Sequence, residues 1–283
     1  MANSRILYLE AQKREFVEKF LIEHSNYFYR MEDGKIDTIK RMMPDPPWAY
    51  IKQGMNQNCH FWHQVLFKYV HNKKRVPIPC HNCWKVVLMP RDLEELFASY
   101  VMIHELGRPA KCGIEGDRPN TDRFYGAYFY NNSLEDGLEC YDIVREAADR
   151  DMTYEMTLLG CPIKVRFDNE RYDSPVPVIL KRGCTEFEQS CGPSDKWDWD
   201  DEQVETERIA ANAFTQDIVS SKQGDTQLAR LAYTWIHKAF QWGDDKYQLF
   251  TNGNRLYPPP VTYHNMDPAR LEEVKENGKK CPR

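Results

Sequence analysis

The chain has 283 residues, 41% of them hydrophobic and 13% aromatic, with a formal net charge of -5 and an isoelectric point near 5.9. These figures allow a sizeable core, in one large domain or in a core domain with additions. No apolar run reaches the length a membrane helix needs, and the acidic balance argues against a broadly basic surface for nucleic acid. The first residues lead into a charged amphipathic segment rather than an apolar signal region, so a soluble, cytoplasmic protein without a membrane partner is expected.

Ser4 can cap a helix with apolar positions at Ile6, Leu9, Phe16, Val17, Phe20 and Leu21. Asp33-Gly34 between two strand-like runs predicts a hairpin. Pro44, Pro46 and Pro47 make a loop, and a second helix is expected over 57–70. Beyond Pro79, a strand is expected over 84–88. A helix follows over 91–106, ended by Gly107, then strands over 110–115 and 123–130. Ser133 caps the next helix, and a fourth strand covers 163–167, with a possible extension back to Met156. Val176-Pro177-Val178-Ile179-Leu180 reads as an edge strand, because proline is tolerated at sheet edges. Residues 202–221 and 226–242 read as a helical hairpin, with Leu228, Leu231, Trp235, Ile236 and Ala239 on the buried stripe of its second helix.

From residue 84 the order is strand, helix, strand, strand, helix, strand, the split βαβ of ferredoxin-like folds. The expected architecture is therefore α+β, with a ferredoxin-like (βαββαβ) core over 76–170. An N-terminal helix and hairpin cover 1–75. Residues 171–283 supply a cysteine loop, the helical hairpin and an extended tail, packed on the core.

Nine cysteines are many for a cytosolic chain, and their odd number rules out a disulfide framework that uses all of them. Cys140 and Cys161 sit among apolar residues and read as core; Cys281 lies in the polar tail. Cys80 and Cys83 form a CxxC pair directly before a strand. In the expected topology the strands at 84 and 110 begin at one end of the sheet, where the strand at 163 exits. Cys80, Cys83, Cys112 and Cys184 can therefore converge as four thiolates, with Cys191 in reserve. Such a set suits an iron–sulfur cluster or Zn²⁺. One CxxC with scattered single cysteines leans toward a [4Fe-4S] cluster, in a structural or an electron-transfer role. Cys59, His60 and His63 form a second candidate set, in which the two histidines share a helix face; hydrogen bonding within a packed aromatic region explains them more simply. His81, inside the knuckle, is expected to be exposed.

Two alternatives belong to other functional classes. The first is a binding or assembly module without metal chemistry, contacting a partner chain or nucleic acid. The run 123–130 resembles the aromatic RNP1 strand of RNA-recognition motif domains at Arg123, Tyr125, Gly126 and Tyr130, and departs from it at Phe124 and Ala127. Packing under added helices suits these aromatics better in an acidic chain. The second alternative is a Mg²⁺-dependent enzyme built on Asp198, Asp200, Asp201 and Glu202. Acidic residues at the start of a helix serve its dipole equally well. No nucleophile elbow, P-loop or dinucleotide fingerprint occurs, so no catalytic residue is named.

Overall fold

The computed structural model describes residues 2–38, 48–51, 59, 61–117, 121–150, 152–158, 160–215 and 225–256. A long helix, α1 (Ala2–His24), leads into a hairpin of β1 (Phe28–Arg30) and β2 (Ile36–Thr38). The hairpin turns at Gly34, whose φ of 81° suits glycine. Strand β3 (Trp48–Ile51) is followed by a π-helix, Phe61–Val70, and by the single helical turn α2 (Ile78–His81). Next come β4 (Trp84–Leu88), α3 (Leu93–Leu106), β5 (Ala110–Ile114), β6 (Tyr125–Asn131) and α4 (Leu134–Asp149). A second hairpin, β7 (Thr153–Leu158) and β8 (Cys161–Arg166), precedes β9 (Val178–Arg182). The described chain ends with α5 (Glu188–Cys191), α6 (Asp201–Ala213), α7 (Asp225–Trp242) and a 3₁₀ turn, Asp245–Phe250.

Local chemistry sets the element ends. The side chains of Asp92 and Ser133 accept from the backbone N–H groups of Glu95 and Asp136, capping α3 and α4. Gly107, at φ 62°, closes α3 in the left-handed conformation.

The architecture is α+β: a five-stranded sheet in the order β3-β5-β6-β4-β9, every neighbour pair antiparallel, with added helices. One expectation about strands is corrected. The segment at 163–167 does not join this sheet; it belongs to the β7–β8 hairpin, which packs on α3. Its place beside β4 is taken by β9, the edge strand read from the sequence. Strand β3, a short run after the prolines, adds a further edge that sequence reasoning did not assign.

Alternation along the strands sends Val86, Leu88, Ala110, Cys112, Ile114, Ala127 and Phe129 to the face covered by helices. Phe97 on α3 and Trp235 on α7 close this core, their rings 5.2 Å apart at 65°. A second core joins Val17, Phe20, Phe28, Ile36 and the π-helix residues Phe61, Val65 and Leu66 to Ala210, Ala213 and Phe214. The expected helical hairpin therefore divides: α6 packs on α1 and the π-helix, whereas α7 packs in the sheet core. Among the described residues no helix is long and apolar enough to cross a membrane.

Candidate metal centre

The third apolar cluster is small and unusual: Val76, Cys80, Cys83, Cys184 and Phe187. It forms where three segments meet at one end of the sheet. Register explains the meeting. Trp84 opens β4 directly opposite Arg182, the last residue of β9. Cys83, just before β4, and Cys184, two residues past β9, are therefore brought side by side.

Each segment is fixed by its own hydrogen bonds. The CxxC turn follows Pro77, whose carbonyl accepts from the Cys80 N–H at 2.8 Å. The Ile78 N–H donates to the Glu207 carboxylate at 3.1 and 3.2 Å, and the Gln203 side-chain amide donates to the Val76 carbonyl at 2.8 Å. Helix α6, which supplies Gln203 and Glu207, thus clamps the turn, and His71 braces Glu207 at 2.8 Å. On the other side the Gly183 N–H donates to the Cys83 carbonyl at 2.8 Å.

Gly183 is required by space. A Cβ there would lie 2.5 Å from Cys83 Sγ and 3.3 Å from the Cys83 carbonyl oxygen. Cys184 itself has φ 61°, ψ 19°. Left-handed backbone costs a residue with a side chain roughly 1–2 kcal/mol. The strain aims this thiol inward at Cys80 and Cys83.

The fourth member comes from the π-helix. His63 Nε2 lies 3.5 Å from Cys184 Sγ, and Nδ1 lies 3.4 Å from the Glu186 carboxylate. The donor atoms of His63, Cys80 and Cys184 all lie within 4.8 Å of one another, the one such group of three among the described residues. Cys83 joins as the third buried cysteine of the same apolar cluster.

The electrostatics follow from this crowding. The neighbouring Cys184, then burial, pushes the Cys83 thiol far up. Cys184 is likewise raised, by Cys80 and by burial, against an opposing effect of Cys83. Cys80 is held down by Cys184, but burial and Cys83 leave it raised overall. Metal-free, these groups are protonated thiols at neutral pH; a cation would displace their protons.

No protein-family model matches the chain, and no curated protein or solved structure matches it.

The other sequence candidates fall elsewhere. Cys112 pairs across the sheet with Ala127, and Ala127 with Leu88, so it is level with the far end of β4 and two strands away. At about 3.3 Å per residue and about 4.8 Å per strand, that is roughly 19 Å from Cys83. Its side chain is fully buried in the sheet core. The two strands do begin at the same end, but β5 starts level with Val86, and this stagger carries Cys112 away. Cys191 flanks the cluster, and its thiol donates to the Lys73 carbonyl at 3.7 Å. Cys59 is half-buried near Cys83 and Lys85, its thiol pushed up to about 11 by burial. His60 lies outside the described residues, as does Cys281. His81 is buried rather than exposed, its ring bonded to the Val76 carbonyl at 3.1 Å. Cys140 is core, as expected; Cys161 is exposed at the start of β8.

Sequence reasoning thus had both halves of the set but kept them apart.

The competing sites look different in three dimensions. Tyr128 and Tyr130, on the sheet face away from α3, are only 8% and 6% exposed, so they offer no open stacking platform. Asp200 caps α6 by accepting from the Gln203 N–H at 2.8 Å and pairs with Arg75 at 2.8 Å. Cys184, His63 and Glu186 line up as nucleophile, base and orienting carboxylate. Cys184 is only 2% exposed, however, and its thiol is raised, which suits a ligand better than a nucleophile.

Proposed function

We propose that the chain is a metal-binding protein that holds one Zn²⁺ through Cys80, Cys83, Cys184 and His63, as a structural centre. One observation carries the reading: the thiols of Cys80 and Cys184 and an imidazole nitrogen converge within 4.8 Å, the buried Cys83 packs in the same cluster, and the other ring nitrogen rests on a carboxylate. A carboxylate behind a ligating histidine fixes its tautomer and raises its basicity. Three cysteines and one histidine are a common structural zinc set.

The leaning moves from cluster to zinc on two grounds. Tetrahedral zinc with bonds of about 2.3 Å sets its ligand atoms about 3.7 Å apart, and the donors of His63, Cys80 and Cys184, within 4.8 Å of one another, need only a small contraction. A cubane interposes four irons between its thiolates, which spreads them further, and it takes four cysteines. With Cys112 buried elsewhere, the described residues offer two converging thiols and an imidazole, with the Cys83 thiol packed in the same cluster. The zinc would tie the π-helix, the CxxC turn and the exit of β9 into one unit. We also read the order β9-β4-β6-β5, with α3 and α4 as crossovers, as a ferredoxin-like core with the β7–β8 hairpin inserted before its last strand.

Metal analysis of the full chain, purified without oxygen, tests this. The expected result is a colourless protein with one zinc per chain, lost in Cys80→Ser. Brown protein with visible cluster bands would replace zinc by iron and sulfide. Absence of any metal, with stability unchanged in Cys80→Ser and Cys83→Ser, would overturn the metal reading.

A further inference from the structure

Zn²⁺ bound by three thiolates and a neutral imidazole carries one net negative charge. In a site as enclosed as this one, an uncompensated charge is unfavourable. A cation on β4 stands beside it.

Lys85 lies two residues beyond Cys83, so the period of the strand carries both side chains to the same side. The two meet in the gap left by Gly183. The point where a Cβ would stand is 2.5 Å from Cys83 Sγ and 2.9 Å from Lys85 Cε. The ammonium sits 5.7 Å from the centre of the Tyr130 ring. Burial disfavours its charge, and the neighbouring Cys184, Cys83, Glu186 and Cys59 leave the ammonium favoured overall. Of these only Glu186 is a carboxylate, and it faces His63.

The strand pairing adds a cost to this placement. Lys85 is directly opposite Lys181 across the β4–β9 ladder; Arg123, which also acts on Lys181, is paired with the buried Glu115 at 2.8 Å, and Glu186 offsets part of the lysine repulsion. Like charges facing each other across strands destabilise a sheet. A cluster of cations on a half-buried face is explained by a negative centre beside it, and the thiolates supply one once their protons have left.

We propose that Lys85 is the counter-cation of the thiolate centre, a positioning residue that neutralises the loaded site and thereby sets its affinity for zinc and the inertness of its sulfurs. This rests on the zinc reading above. Lys85 binds no metal itself; its ammonium stabilises the deprotonated thiolates and blunts their attack on electrophiles.

The test is zinc affinity of the full chain by competition with a chromophoric chelator, together with the iodoacetamide alkylation rate of the zinc-loaded protein. Lys85→Met keeps the apolar stem and removes the charge. It is expected to weaken zinc binding by about 10- to 100-fold, the usual range for outer-shell partners, and to speed alkylation. Lys85→Arg restores the charge and is expected to stay close to wild type in both. Lys181→Met, which relieves the repulsion without touching the thiols, is expected not to weaken binding. Should Lys85→Met fold poorly, Lys85→Gln is read in the same way. Wild-type affinity and alkylation rate in Lys85→Met and Lys85→Gln would overturn the role of Lys85 and leave the zinc centre standing. A wild-type chain that binds no zinc would overturn both.

Discussion

His63 and Cys184 are separated by 121 positions in the chain, yet His63 Nε2 and Cys184 Sγ lie 3.5 Å apart. The contact is held from both sides. Phe187 packs its ring on His63 at a centroid distance of 4.6 Å, and Glu186 takes the other ring nitrogen. Residues 184–187 therefore supply a ligand, a carboxylate for the imidazole and an aromatic wall in one short turn. This is the relationship on which the zinc reading turns, because it converts a trio of thiols into a four-donor set.

Removing the ligand and removing its support are expected to differ in degree. His63→Ala takes away a donor and should abolish stoichiometric zinc binding. Glu186→Gln leaves the donor and loosens its tautomer, so affinity should fall by about 10-fold. Chelator competition measures both. Equal affinity in Glu186→Gln and wild type would show that the carboxylate contact is incidental.

The glycine beside the centre makes a second case. In Gly183→Ala the new methyl would stand 2.5 Å from Cys83 Sγ, and the backbone carbonyl at 3.3 Å limits escape. Overpacking of this kind costs about 1–3 kcal/mol, and here it also pushes a ligand out of place. Urea denaturation should register the loss of stability, and zinc stoichiometry should fall with it. Gly160→Ala is the control: its φ of 80° strains any side chain, but nothing lies within 4 Å of the new atom. That variant should lose some stability and keep its zinc. Full zinc occupancy in both would refute the argument from space.

Much of the fold was legible because its signals were local. Gly107 and Ser133 bound their helices as capping chemistry requires, and the run at 84–88 is a strand with the expected bounds. The fourth core strand was misassigned because β8 and β9 both read as short apolar runs, and only pairing tells them apart. The candidate site divided the same way. Cys80, Cys83 and Cys184 could be joined by a topological argument about strand ends. Cys112 could not be rejected, since its place depends on stagger, which strand order leaves open. His63 was visible as a possible ligand but was grouped with its neighbours in sequence. Its true companions are remote, and no local pattern announces them.

The separation of Cys112 from the centre yields a third prediction. Cys112→Ser puts a hydroxyl into the apolar sheet core, where an unsatisfied polar group costs about 1–3 kcal/mol. The variant should be less stable and still carry one zinc. Cys80→Ser should lose the zinc. Denaturation curves and metal analysis on the same samples separate the two. Loss of zinc in Cys112→Ser, from folded protein, would return that cysteine to the ligand set.

The acidic segment supplies the last prediction, and the sign can be worked out. Asp200 accepts from the Arg75 guanidinium and from the Gln203 N–H, which hold its carboxyl below the ordinary aspartate value. A depressed value in the folded state means that the stabilisation is present above the unfolded value, about 3.9. It is lost as pH falls through the folded one. Asp200→Ala should therefore lower the urea midpoint at pH 7, and the gap to wild type should shrink below pH 3. Asp200→Asn keeps a good helix cap and discards the charge. It should recover most of the midpoint while losing the pH dependence that comes from the Arg75 pair. Because α6 carries Gln203 and Glu207 against the CxxC turn, the Ala variant should also bind zinc less tightly, and the Asn variant should not. A midpoint unaffected by Asp200→Ala at neutral pH would mean that the carboxylate is not serving the helix, and would reopen the acidic segment as a cation site in its own right.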